Sequence, residues 1–103
     1  MGFEYQAHTR PELAPALLAS VFDKISLQSG WYVLKREGNT KLCLRFSETK
    51  ENAEWPEDFR LEVDGDSLYV VFYTGSAEME RSFLDFLSDE LSTNVEVSGF
   101  EML

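Results

Sequence analysis

A chain of 103 residues, 44% hydrophobic and 14% aromatic, holds enough apolar material for one core without disulfide or metal, which excludes a disordered chain. The single cysteine, Cys43, excludes an internal disulfide, and no apolar run is long enough to cross a bilayer. Net charge is −10, unevenly spread: residues 1–60 hold nine acids and eight bases, whereas residues 61–103 hold ten acids and one base, Arg81. Such a field repels nucleic acid and anionic membranes and attracts basic surfaces, although acid also serves solubility alone.

Met1-Gly2-Phe3-Glu4-Tyr5 lacks the basic and apolar regions of a signal peptide, so the expected compartment is the cytoplasm. Phe3, Tyr5 and Ala7 alternate with Glu4, Gln6 and His8, a short strand pattern. Thr9-x-x-Glu12 fits a capping box, and Leu13, Leu17, Leu18, Val21, Phe22 and Ile25 follow at helical spacing. Pro15 conflicts with a helix already under way, so the regular helix is expected from about Ala14, and Gly30 marks the exit. Trp31 to Arg36 and Lys41 to Phe46 read as a hairpin around Gly38-Asn39. Residues 47–58 lack apolar period and carry five acids with one lysine, a loop.

Phe59, Leu61 and Val63 alternate with Arg60, Glu62 and Asp64. Asp64-Gly65 then turns the chain into Leu68 to Tyr73, the clearest hairpin signal present. Ser76 is placed to cap a second helix with Glu78 and Glu80 near its N-terminus. Met79, Phe83, Leu84, Phe86, Leu87 and Leu91 form its apolar stripe, with Asp85, Asp89 and Glu90 outside it. A short strand is expected at Val95-Glu96-Val97, and Phe100 to Leu103 are unassigned. The fold class is α+β, a single domain over residues 1–103. The expected order is (β)-α-β-β-β-β-α-β, with a largely antiparallel sheet of four to six strands packed with two helices.

No CxxC, HExxH, GxSxG or phosphate-loop motif is present. Lys41 and Arg45 beside Cys43 are placed to lower its pKa, but nothing in the sequence brings His8, the only histidine, to it. A half-buried strand cysteine and a surface histidine are the plainer assignments. Asp64-Gly65-Asp66 resembles the start of a calcium loop but lacks the glycine and glutamate positions of an EF-hand. Lys35, Arg36, Lys41 and Arg45 near Trp31 and Tyr32 resemble a single-strand-binding surface, which the acidic remainder opposes. The chain is therefore read as a non-enzyme with no catalytic residue, cofactor or metal.

Three features point to a partner. Tyr69, Val71 and Tyr73 oppose Leu68, Val70 and Phe72, so both faces of that strand want cover, from helices on both sides or from a partner. Trp55-Pro56 lies among Glu54, Glu57 and Asp58, where the tryptophan either anchors a contact within a charged rim or folds back over the core. The third candidate is the acidic outer face of the second helix, Asp85, Asp89 and Glu90 with Glu78 and Glu80, a feature that alone is most often a solvated face. The expected function is a small acidic inhibitor, of the kind represented by bacterial immunity proteins, that docks on a toxin or other basic effector. Its expected contact residues are Glu54, Trp55, Glu57, Asp58, Tyr69, Tyr73, Asp85 and Asp89. The alternatives are a secretion-chaperone-like dimer that holds an effector segment and an anti-defence inhibitor that mimics nucleic acid. In each case the expected partner is a protein, not nucleic acid or membrane, bound by a monomer or homodimer.

Overall fold

The computed structural model describes residues 3–47, 57–73 and 76–103. Its elements are β1 (Phe3–Arg10), α1 (Pro15–Ser26), β2 (Trp31–Glu37), β3 (Lys41–Phe46), β4 (Phe59–Asp64), β5 (Ser67–Phe72), α2 (Ala77–Ser92), β6 (Glu96–Val97) and β7 (Glu101–Met102). The strands form one antiparallel sheet in the order β2-β3-β4-β5-β1-β6, with β7 also on β1. The fold is α+β as expected. β7 adds a strand where the sequence left the tail unassigned.

The two hairpins follow their turn residues. Gly38 has φ +52 and Gly65 φ +61, a region costly for residues with a Cβ. Gly65 and Asp66 link the Asp64–Ser67 pair, and only the glycine has positive φ, the sign pattern of a type II′ hairpin turn. The β2–β3 ladder shifts register between Val33 and Lys35, and Leu34 is left 43% exposed at the sheet edge.

Alternation along the strands gives the sheet two unlike faces. Leu42, Leu44 and Phe46 of β3, Phe59 and Leu61 of β4, and Leu68, Val70 and Phe72 of β5 lie on one face. Both helices pack there, α1 through Val21, Phe22 and Ile25 and α2 through Phe83, Leu87 and Leu91, making a single core. Trp31 seals it at the β2 edge, meeting Phe59, Phe83 and Phe86 edge-to-face and donating its indole N–H to the Ile25 carbonyl at 2.9 Å. The other face carries Lys41, Cys43 and Arg45, then Arg60 and Glu62, then Tyr69 and Val71, then Glu4, Gln6 and His8. Among the described residues no helix covers it.

One local expectation is corrected. Thr9 does not cap α1: it belongs to β1, pairs with Val97 and donates its N–H to the Asp66 carbonyl at 2.9 Å. With its backbone committed to the sheet, α1 starts at Pro15 behind Ala14, which makes no side-chain cap. The expected N-terminal strand is present, and it runs on through Arg10. β1 lies between β5 and the β6–β7 edge, and Ala7 is fully buried.

Candidate functional site

α2 is the element that gathers chemistry. Ser76 caps it by accepting the Met79 N–H at 3.2 Å, and Phe83, Leu87 and Leu91 fix its inward face. That phase leaves Glu78, Asp85 and Asp89 exposed. Glu90 pairs with Lys24 of α1 at 3.1 Å. Among the described residues no ion pair reaches Glu78, Asp85 or Asp89.

Glu80, expected on the outer face of the helix, is corrected: it is buried. It lies three residues before Phe83 and seven before Leu87, on the inward side, and is only 8% exposed. Tyr5 of β1 donates its hydroxyl to Glu80 Oε1 at a long 3.4 Å. Burial raises the Glu80 pKa above its ordinary 4.5, and the Tyr5 hydrogen bond offsets part of that rise. Tyr5 is also raised, first by burial and then by the Glu80 charge and hydrogen bond. Tyr5 and Glu80 line a groove of about 390 Å³ between α2 and the C-terminal edge, together with Leu84, Asp85, Ser88 and Phe100. Arg81 stands exposed beside it.

The residues expected from sequence fall into separate places. Asp85 and Asp89 are on α2. Tyr69 and Tyr73 are half-buried on the helix-free side of the sheet, where Tyr69 Oη accepts from Gln6 Nε2 at 3.1 Å and the Arg60 guanidinium sits 5.7 Å from the Tyr73 ring. Glu57 is half-buried beside Cys43. Asp58 is corrected: it is fully buried, not part of a surface rim. Its Oδ2 accepts the Phe46 N–H at 2.9 Å, its N–H goes to the Leu44 carbonyl and its own carbonyl accepts the Tyr73 N–H, so it ties β3, β4 and the end of β5 together. Glu54 and Trp55 lie outside the described residues. The expected contact set is therefore split between two opposite faces and the interior.

Cys43 is a buried residue of β3, in keeping with the plainer assignment, and its basic neighbours do not activate it. Its pKa is pushed up to about 11, chiefly by burial and then by the hydrogen bond and charge of Glu57, which outweigh Lys41 and Arg60. Among the described residues, no three metal-ligating side chains group together and no helix is long and apolar enough to cross a membrane. Comparison with protein families, curated proteins and solved structures gives no match for this chain.

Proposed function

We propose that this is a non-catalytic protein-binding domain, an immunity-type inhibitor that docks the outer face of α2 on a basic toxin or effector and neutralises it. The observation that carries the reading is that two α2 acids, Asp85 and Asp89, stand against the helix's own electrostatics. Asp85 and Asp89 are like charges at i,i+4, and the last turn holds no base next to the negative end of the helix dipole; Glu90 there is offset by Lys24 of α1, whereas among the described residues no ion pair offsets Asp89. A surface chosen for stability alone would place lysine or arginine there. Local rules broken without a structural gain mark surfaces used for something else. The protonated state of Cys43 further supports a binding role over thiol catalysis, and a reduced compartment such as the cytoplasm suits a free thiol.

The test is capture on immobilised full chain at low and high salt, beside an E78Q/D85N/D89N variant. The expected outcome is one basic protein, held at low salt, weakened by high salt and lost by the variant. Equal capture by both proteins would overturn the reading. Competition by duplex DNA for the same partner would assign it to the nucleic-acid-mimic class.

A second reading, the chaperone-like dimer, is favoured by the placement of both helices on one face, which leaves Tyr69 and Tyr73 on the other. Light scattering that finds only monomer at high concentration would overturn it.

A further inference from the structure

We infer that the groove between α2 and the C-terminal edge receives an arginine side chain presented by the basic partner, with Glu80 as the buried anchor for its guanidinium. This rests on the reading of α2 as the docking face and names what that face recognises. A glutamate more than nine-tenths buried ordinarily has strong partners, because burying a charge without them is costly. Glu80 has one long hydrogen bond from Tyr5, and among the described residues no cation pairs with it. Glu80 forms part of the groove wall, so an occupant of the groove meets it.

The remaining lining fits one occupant. The groove, about 390 Å³, lies at the small end of ligand-site volumes and suits a single side chain. Leu84 and the rings of Tyr5 and Phe100 offer apolar and aromatic surface to an aliphatic stem and a flat cation. Asp85, exposed on the same wall, supplies a second carboxylate. Arginine suits this better than lysine, since its planar fork serves two acceptors at once and sheds water more readily. Among the described residues Arg81 is the one cation in the lining, and it is exposed, so solvent screens its repulsion of the incoming charge.

The test uses the full chain and two probes of matched shape, N-acetyl-arginine amide and N-acetyl-citrulline amide, followed by two-dimensional NMR. Saturable shifts at Ser88, Gly99 and Phe100 are expected with the arginine probe. Its affinity should exceed that of citrulline by about tenfold or more, the value of a charge-assisted hydrogen bond. E80Q should remove that preference while retaining the fold. Equal response to both probes, or an unchanged preference in E80Q, overturns the inference without reference to any partner. If the captured basic protein is lost by E78Q/D85N/D89N yet binds E80Q like the wild type, the groove fails and the docking face stands. Charge-selective arginine binding with no acid-dependent capture leaves a guanidinium site and sinks the docking reading.

Discussion

Asp58 and Glu80 are two acids that the sequence offers as surface charge and the fold takes inside. For Glu80 the signal was present: positions 80, 83, 87 and 91 share one helical face, and three of the four are Phe or Leu. Its burial was legible by phase and was masked by its suitability for an N-terminal first turn. For Asp58 the signal was absent, because nothing local says that the Phe46 N–H will lack a strand partner and need a carboxylate. Glu80 has a testable consequence. Its folded pKa lies above the ordinary 4.5, so between those values the native state binds more protons than the unfolded chain, and stability falls as pH rises through the window. Urea titrations from pH 4.5 upward are expected to show E80Q gaining on the wild type as pH rises. Parallel pH profiles for the two proteins would show that Glu80 is not strained by its burial.

At the scale of elements, the hairpins, both helices and the strand alternation were legible because each rests on local chemistry. Ser76 caps α2, Pro15 opens α1, and glycines take the positive-φ positions of the turns. The strand order was not, since β1 reaches its place only by pairing with β5 and with the chain's last residues. The same limit hid the site: Tyr5 and Glu80 are 75 residues apart and meet only because β1 lies inside the sheet. On α2 itself, Asp85 and Asp89 repel each other across one turn. The substitution D85N is expected to raise stability by about 0.2–0.5 kcal/mol, the usual size of an i,i+4 like-charge pair, measured by denaturant midpoint. A loss of stability would mean that Asp85 has a structural role, and the electrostatic argument for α2 as a docking face would go with it.

Across the whole molecule, strand order gathers five of the chain's nine bases on adjacent strands. Lys35, Arg36, Lys41, Arg45 and Arg60 lie together on β2, β3 and β4. Asp66 and Glu96 line one surface hollow at the β1–β6 edge, and α2 carries the exposed acids Glu78, Asp85 and Asp89. The basic side is partly neutralised from within, by Glu37 on Lys35 at 3.1 Å and Glu62 on Arg60 at 3.2 Å. Such exposed pairs contribute only about 0–1 kcal/mol each, so they do not offset the self-repulsion of a net charge of −10. Added sodium chloride, which shrinks the screening length from roughly 10 Å at 0.1 M to about 3 Å at 1 M, is therefore expected to stabilise the fold. The urea midpoint should rise with salt, and less so in D85N/D89N, which removes two of the charges. The same screening that steadies the free protein should weaken capture of a basic partner, because one acidic field produces both effects. A midpoint that fell with salt would mean that the ion pairs outweigh the repulsion, and the acidic side would then have no field to spare for steering a partner.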